Sequence, residues 1–162
     1  MKRQYDYVAE DNPFMRQARR VAEAQSLDKD WPTGVVVVKV GKIIGKGWNG
    51  SEYHQKYGCR RKELGIKTGE RYDLCEGCDP RHHAEPRAIA NARLTRSVPV
   101  NGEVYSEGAS SAYLWGHWWC CESCWQVMID AGIKKVYLVK GANVHFSKVR
   151  NNSVNARGQI SL

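Results

Sequence analysis

The strongest constraint on the fold comes from two short motifs, RHHAEPRAIANA at residues 81–92 and HWWCCESCW at residues 117–125. The first places His83 two residues before Glu85, and the second contains three of the six cysteines of the chain. Each motif runs into a stretch with the apolar spacing of a helix. Histidine and cysteine side chains at two helix starts can bind one metal ion only if the fold brings those starts together. The sequence therefore predicts two helices whose N-termini meet.

The apolar pattern predicts alternating helices and strands around these motifs. Asn12 followed by Pro13 is a typical helix start, because asparagine caps a helix and proline suits its first position. The predicted elements are a helix near 12–26, a hairpin over 35–44, a helix over 85–94, a strand over 112–118, a helix over 121–131 and a strand over 136–139. Strands separated by helices indicate an α/β fold with parallel neighbouring strands in a sheet covered on both faces.

Length and composition indicate a single domain over residues 1–162, with 42% hydrophobic and 26% charged residues. Residues from about 50 to 82 lack apolar periodicity and form an insert, and residues from about 141 to 162 form an irregular basic tail. The longest apolar run, Val35–Val38, is too short to span a membrane, and the N-terminal residues do not have the pattern of a signal peptide. We therefore expect a cytoplasmic protein, where clustered cysteines more often bind metal than form disulfides.

The net charge of +8 favours an anionic partner. A nucleotide phosphate, a nucleic acid or an acidic protein surface would each fit this charge. Six basic residues of the insert could bind phosphate or nucleic acid, and they could equally form a solvated loop: Lys56, Arg60, Arg61, Lys62, Lys67 and Arg71. The charge alone does not choose among these partners.

Three residues of the two motifs match the ligand set of a catalytic zinc site. Zinc in such a site takes three protein ligands and leaves the fourth position to water. His83, Cys121 and Cys124 meet this requirement, because two intervening residues allow both sulfurs of a first helical turn to reach one metal. The positive end of the helix also favours the thiolate form. Cys120 is then the spare cysteine, at the position that proline occupies in the signature of zinc nucleobase deaminases.

Glu85 lies close to this metal site without being needed as a ligand, so it is free to move protons. A His-x-Glu motif followed by Pro-Cys-x-x-Cys is the signature of zinc nucleobase deaminases, and the chain matches it except for Cys120 at the proline position. In that chemistry hydroxide attacks C4 of cytosine, Glu85 carries protons to the ring nitrogen and the departing amine, and uracil and ammonia are released. The alternative is a zinc ion that only joins two helices, but such a site normally has four protein ligands.

Further motifs resemble the cytidine deaminase superfamily, and most closely its deoxycytidylate (dCMP) deaminase branch. They are GVVVVK and GKIIG in the hairpin, GWNG at 47–50, HAEPRAI at 83–89 and AGIK at 131–134. GWNG resembles the Gly-Tyr-Asn-Gly of that branch, and HAEPRAI resembles its His-Ala-Glu-x-x-Ala-Ile. The resemblance runs from about Val21 to Val139. It implies a three-layer α/β/α fold with a mixed, mostly five-stranded sheet.

The same resemblance implies a function and its contacts. It implies a zinc-dependent hydrolytic deaminase that converts a cytosine nucleotide to the uracil form, with dCMP as the first candidate substrate. It also implies a homo-oligomer. Asn49 would contact the sugar, and the backbone of Ala84 would contact the base ring. The carbonyl of Trp119 would lie near the amino group that leaves. The chain departs from the branch at residues 140–143 and in the tail beyond them, where substrate and phosphate would be bound.

The insert contains the other three cysteines, Cys59, Cys75 and Cys78. Cys75 and Cys78 form a knuckle-like pair in which Gly77 permits the turn. With one histidine they would make a closed structural zinc site, which would stabilise a loop that has little core of its own. We assign His82 as the fourth ligand and keep His54 as its alternative. Some relatives in the dCMP branch carry a second structural zinc in this region, and the other interpretation is reduced cysteines that share no metal.

Other functions also fit the sequence. The same chemistry could act on a polynucleotide, such as single-stranded DNA or tRNA, or on another heterocycle. A non-enzymatic protein could use a zinc staple and basic loops to bind nucleic acid. His117 and Trp118 end the predicted strand, where tryptophan could stack on a base, although packing is the favoured interpretation. We also expect proline to be tolerated in place of Cys120, since no amide hydrogen bond is expected at this helix start.

Overall fold

The structure is a computed structural model that describes residues 3–92 and 110–147. Its centre is a five-stranded mixed sheet. The strands are β1 (Asp6–Val8), β2 (Gly34–Lys39), β3 (Lys42–Trp48), β4 (Ser110–Trp115) and β5 (Ile133–Val139). They lie in the order β1–β5–β4–β2–β3, with β1, β5 and β4 parallel to one another and β2 antiparallel to both of its neighbours. The predicted α/β class and mixed five-stranded sheet are confirmed.

Helices cover both faces of this sheet. The helices that pack on it include α1 (Pro13–Gln25), α4 (Ala84–Asn91) and α5 (Glu122–Asp130), and the insert adds two short helices, α2 (Glu52–Tyr57) and α3 (Arg60–Glu63). A Cβ atom built on Gly34 would meet α1, and one built on Gly47 would meet α4. Gly47 pairs with Val35, the residue after Gly34, and successive strand residues point to opposite faces. The two helices therefore lie on opposite sides of the sheet, as a three-layer fold requires.

Helix α1 begins where the sequence predicts. The side chain of Asn12 accepts hydrogen bonds from the backbone N–H groups of Phe14 (3.0 Å) and Met15 (3.2 Å), and Pro13 occupies the first helical position. This cap satisfies two of the N–H groups that a helix start leaves without partners. The buried face of the helix packs on the valines of β2 and consists of Met15, Ala18, Val21 and Ala22.

Helix α4 approaches β3 very closely, because β3 carries glycines where the two elements touch. A Cβ atom on Gly47 would lie 2.1 Å from the carbonyl oxygen of Ala84, and one on Gly45 would lie 2.4 Å from that of Ala88. Any larger side chain would have to push the helix away from the strand. The first residues of α4, including Glu85, are therefore held against the sheet.

The structure differs from the predicted elements in several places. Strand β1 has no counterpart in the prediction, and the insert, predicted without regular structure, contains α2 and α3. The strand predicted over 112–118 ends at Trp115, because Gly116 turns the chain with a φ of +81°. Residues 142–147, placed in the predicted irregular tail, are helical and bury Ala142 and Phe146. Residues 93–94 of the predicted second helix and the tail from 148 to 162 lie outside the described residues.

Across residues 3–92 and 110–147, the helices are all too short or too polar to cross a membrane.

The contact between α4 and β3 predicts a strong effect of one added methyl group. We expect Gly47→Ala to lower the free energy of unfolding by about 3 kcal/mol, because the new Cβ would overlap backbone atoms of α4. Gly132→Ala is the control: Gly132 has a φ of +83° and a Cβ atom there would meet nothing within 4 Å, so only backbone strain of about 1 kcal/mol is expected. Urea denaturation measures both losses. Equal losses would contradict the close packing described here.

Candidate active site

Three predicted ligands meet where α4 and α5 begin. His83 immediately precedes α4, Cys121 immediately precedes α5, and Cys124 lies in the first turn of α5. Nδ1 of His83 lies 3.2 Å from Sγ of Cys124 and 3.6 Å from Sγ of Cys121. Ligand atoms around a tetrahedral zinc ion at the usual bond lengths are about 3.5–3.8 Å apart. The donor set and its spacing therefore fit zinc.

The immediate surroundings favour the thiolate that a zinc ion requires. A hydrogen bond from the Cys124 thiol stabilises the Cys121 thiolate, and despite partial burial it lowers the pKa of Cys121 to about 4. His83 and the hydroxyl of Ser123, whose Oγ lies 3.3 Å from the Cys121 sulfur, add to this effect. Thiolate is the form of cysteine that binds metal.

Glu85 lies in the first turn of α4 and is only 2% exposed. Its Oε1 lies 3.1 Å from Nε2 of His117, which is also buried. Burial alone would raise the pKa of Glu85, but the positive charge of His117 and the hydrogen bond to it outweigh burial and lower the pKa to about 2. Glu85 is therefore an ionised carboxylate next to the three ligands, able to accept a proton.

Cys120 is excluded from the ligand group and occupies a separate environment. Its thiol is almost fully buried, and burial together with the negative charge of Glu85 raises the pKa of Cys120 well above its usual value. Its backbone N–H donates a hydrogen bond to the hydroxyl of Tyr5 at 2.8 Å. The expectation that no amide hydrogen bond is made at this position is therefore wrong. Proline in place of Cys120 would remove the hydrogen bond to Tyr5.

The side chain of Asn49 is largely engaged by the protein itself. Its Oδ1 accepts hydrogen bonds from the hydroxyl of Ser26 (2.6 Å) and the N–H of Thr33 (2.8 Å), and its Nδ2 donates to the carbonyl of Trp31 (2.9 Å). An amide has two donor hydrogens, so one is left for a substrate. The role of Asn49 in sugar binding stays a prediction, and the structure adds a second role in holding the loop before β2.

The other two predicted substrate contacts involve backbone groups close to the ligands. Ala84 is fully buried between His83 and Glu85 at the start of α4. The ring of Trp119 points into the insert, where a Cβ atom on Gly69 would lie 2.9 Å from it. Trp118 is partly buried against the core, in agreement with packing rather than base stacking. The predicted substrate contacts of Ala84 and Trp119 stay predictions.

Two residues at the site were missed by sequence reasoning. The ring of Tyr72, from the insert, makes a T-shaped contact with the imidazole of His83 with centroids 5.1 Å apart, and burial raises the pKa of Tyr72 to about 12. His117 contacts Glu85, as described above. Tyr72 lies in a segment without periodicity, and a single histidine after a strand carries no signal of its own.

The insert forms a second cluster of metal-ligating residues, His54, Cys59, Cys75 and Cys78, whose ligand atoms all lie within 4.8 Å of one another. Nε2 of His54 is 3.4 Å from Sγ of Cys75 and 3.5 Å from Sγ of Cys78. The sulfurs of Cys59 and Cys78 are 3.5 Å apart. One histidine and three cysteines at these distances fit a closed structural zinc site.

The structure brings His54, and not His82, to the three cysteines. His82 belongs to the turn that leads directly into α4 and lies outside the cluster. His54 is carried by α2, whose cap residue Ser51 accepts a hydrogen bond from the His54 N–H and donates one to the carbonyl of Gly77. A Cβ atom on Gly77 would lie 2.3 Å from the His54 ring, so only glycine allows this contact. Of the two candidates considered from the sequence, the assignment of His82 is corrected to His54.

The sulfurs of the insert cluster are also bound by donors from the protein. Burial raises the pKa of Cys75, but backbone N–H groups of Arg60 and Gly77 reverse this effect and lower the pKa overall. The guanidinium of Arg61, a buried side chain, donates to Sγ of Cys78 at 3.2 Å. The double positive charge of a zinc ion would leave a three-thiolate site with one net negative charge, which Arg61 offsets.

Comparison with known proteins gives one family match. The family described as the cytidine and deoxycytidylate deaminase zinc-binding region matches residues 8–140. No curated protein sequence matches the chain.

Solved structures of deaminases are similar to the chain at low sequence identity. The dCMP deaminase of the cyanophage S-TIM5 in its apo form is 24% identical, with a TM-score of 0.46 over 84% of this chain and 88% of the phage protein. The same phage enzyme in complex with dCMP and dUMP is 20% identical, with a TM-score of 0.43 over 84% of this chain and 88% of the phage protein. A diaminohydroxyphosphoribosylaminopyrimidine deaminase/reductase of Thermotoga maritima is 22% identical, with a TM-score of 0.41 over 86% of this chain and 33% of that one.

The geometry predicts which of the adjacent cysteines binds the first metal. We expect Cys121→Ser to lose or weaken one zinc ion, because a serine hydroxyl is a much poorer zinc ligand than a thiolate. Cys120→Ser is the matched control and should leave the zinc content unchanged, since Cys120 lies outside the ligand group. Metal analysis of the purified proteins measures both. Loss of zinc from Cys120→Ser with retention in Cys121→Ser would show that the assignment is off by one residue.

The insert cluster predicts a second zinc ion and its histidine ligand. Wild-type protein should contain close to two zinc ions per chain, and both His54→Ala and Cys75→Ser should lose one of them together with some stability. His82→Ala should keep both ions, because His82 lies outside the cluster. Zinc analysis and thermal melting test this. A wild-type content near one ion would contradict the second site, and loss of zinc from His82→Ala but not from His54→Ala would contradict the assignment of His54.

Proposed function

The chain belongs to the cytidine and deoxycytidylate deaminase family, whose model covers residues 8–140, and from this premise we propose that it deaminates a cytosine nucleotide, with dCMP as the first candidate. Membership makes it a zinc-dependent hydrolytic deaminase. The proposal concerns the substrate and the role of each residue. It is supported by the family description and by the motifs that resemble the dCMP branch.

The observation that carries the proposal is the difference between the two ligand groups. The insert cluster has four protein ligands, as a structural zinc site requires. The group of His83, Cys121 and Cys124 has three, with no fourth metal-ligating side chain joining it among residues 3–92 and 110–147. Three protein ligands leave one position for water, which is the arrangement of a catalytic site. Glu85 lies beside this group as a buried, ionised carboxylate.

The proposed mechanism assigns zinc to the three ligands and proton transfer to Glu85. When bound, zinc would lower the pKa of a water molecule to about 7 and so supply hydroxide at neutral pH. Glu85 would accept the proton that this water gives up and donate it to the ring nitrogen beside C4 of cytosine. The hydroxide oxygen would bond to C4, and Glu85 would carry the proton left on that oxygen to the amino group, so that the C4–N bond breaks and ammonia leaves. The sum is one water consumed, with uracil and ammonia formed.

A second candidate is the same chemistry on a polynucleotide, and the net charge of +8 is the observation that favours it. A protein that neutralises many phosphates loses affinity steeply with salt, whereas a mononucleotide offers few contacts to lose. The dependence of KM on salt concentration therefore separates the two substrates. A weak dependence supports the free nucleotide.

The location and assembly of the protein are also proposed. The proposed compartment is the cytoplasm, where the thiols of the two clusters would stay reduced and able to bind zinc. A homo-oligomer is proposed from the resemblance to the dCMP branch. Light scattering of the purified protein measures its mass, and a monomer at assay concentration would remove this part of the proposal.

The substrate proposal is tested by ammonia release from a panel of compounds. The panel holds cytidine, CMP, dCMP, dCTP, a cytosine-containing single-stranded DNA, a tRNA and, as another heterocycle, the diaminohydroxyphosphoribosylaminopyrimidine named for the Thermotoga maritima enzyme. We expect the highest kcat/KM with dCMP. A higher value with an oligonucleotide would favour the second candidate, and activity on the last compound alone would show that the base is another heterocycle.

Glu85→Gln tests the mechanism directly. Glutamine keeps the size of the side chain but cannot accept a proton, so we expect kcat to fall by at least about 10²–10⁴-fold while the zinc content stays unchanged. Glu122→Gln is the matched control, an exposed acidic residue in the first turn of α5 that should retain activity. Near-normal turnover by Glu85→Gln would disprove the proton-transfer role.

A further inference from the structure

We propose that His117 is a positioning residue that fixes the carboxylate of Glu85 in the orientation required for proton transfer. This inference rests on the proposed function, because it assigns a role within that reaction. It goes beyond the ligands and the proton carrier to a residue that neither the family match nor the sequence motifs assign.

The geometry joins Glu85 to the backbone of the central sheet through His117. Nε2 of His117 lies 3.1 Å from Oε1 of Glu85, and Nδ1 of His117 lies 3.1 Å from the carbonyl oxygen of Trp115. The side chains of His117 and Glu85 are 8% and 3% exposed. Water therefore competes little for either contact, and both ring nitrogens are engaged.

The chemistry of the two partners defines how the ring is held. A backbone carbonyl can only accept a hydrogen bond, so Nδ1 of His117 carries a hydrogen and donates it to Trp115. An ionised carboxylate can likewise only accept, so in the contact with Glu85 the hydrogen is donated by Nε2 of His117. This contact of 3.1 Å ties one carboxylate oxygen to a ring that is itself anchored to the backbone.

The anchor of this ring is rigid. Trp115 ends β4, which pairs with β2 in the middle of the sheet. Gly116 follows with a φ of +81°, and a Cβ atom there would lie 2.6 Å from the carbonyl oxygen of Pro32. This turn places His117 next to α4, so the ring connects the sheet to the first turn of the helix.

Glu85 needs such a partner because its last torsion angle is soft. The terminal torsion of a glutamate side chain has a broad distribution, so a carboxylate without a fixed contact rotates between many orientations. Proton transfer requires one oxygen within hydrogen-bond distance of the donor and then of the acceptor. Fixing one oxygen through His117 fixes the direction of the other, and a misplacement of about 1 Å at a reacting group can cost 10²-fold in rate.

Two substitutions of His117 separate its two contacts. The amide nitrogen of asparagine can replace Nδ1, so His117→Asn can keep the bond to Trp115 but does not reach Glu85. The amide nitrogen of glutamine can replace Nε2, so His117→Gln can keep the bond to Glu85. For both variants we would measure steady-state kinetics with dCMP as substrate, the zinc content and the stability to urea. His145→Asn, a change at an exposed histidine, is the control.

For a positioning residue we expect a specific pattern. His117→Asn should lower kcat by about 10²-fold with KM within about two-fold of wild type and two zinc ions retained. His117→Gln should recover most of the lost kcat. The His145→Asn control should match wild type.

Other patterns would overturn the inference. Equal activity of the asparagine and glutamine variants, an effect on KM alone, or loss of zinc in either variant would give His117 a structural role instead. If wild-type protein released no ammonia from any cytosine compound, the proposed function would fail, and this inference would fail with it. Active wild type with an unaffected His117→Asn would remove only the inference.

Discussion

The close contact between α4 and β3 is the constraint on which the site depends. Gly45 and Gly47 allow backbone atoms of the helix to approach the strand to distances that no other residue would permit. Helix α4 also packs against α5, so the position of α4 fixes where His83 lies relative to the cysteines of α5. A three-ligand zinc site has no fourth side chain to correct a displaced ligand, and its geometry must therefore come from the packing of the elements that carry it.

An element of the fold or a residue of the site could be predicted where a short stretch of the sequence carries its signal. The start of α1, the hairpin and the ligands at two helix starts follow from capping residues, β-branched runs and motif spacing, and the structure places them as expected. Strand β1 has only three residues and is formed by pairing with β5, which is distant in sequence. The short helices of the insert have no buried apolar residue, since α2 buries none of its residues and α3 buries only Arg61. Their positions depend on tertiary contacts and, we propose, on metal binding.

The choice between His54 and His82 shows why spacing alone was insufficient. Both histidines are close enough in sequence to reach Cys75 and Cys78, so the count of residues could not separate them. The deciding features are the cap of α2 at Ser51 and the absence of a side chain at Gly77, which together seat His54 over the cysteine turn. The folded insert also reaches the active site. The guanidinium of Arg61 donates to Cys78 and to two backbone carbonyls of the insert, and it lies over the ring of Tyr72, which makes a T-shaped contact with His83.

The surroundings of Glu85 show how a buried carboxylate can stay ionised near the Cys121 thiolate. Burial and nearby negative sulfur both favour the protonated acid, and an isolated carboxyl in such a place would lose its ability to accept a proton. His117 reverses this preference through its charge and hydrogen bond, and the neutral thiol of Cys120 adds no second negative charge. The N–H of Cys120 is satisfied by Tyr5, so the departure from proline leaves no unpaired backbone donor. His117 and Cys120 thus give Glu85, the proposed proton carrier, an environment in which it is buried and ionised and has a fixed partner.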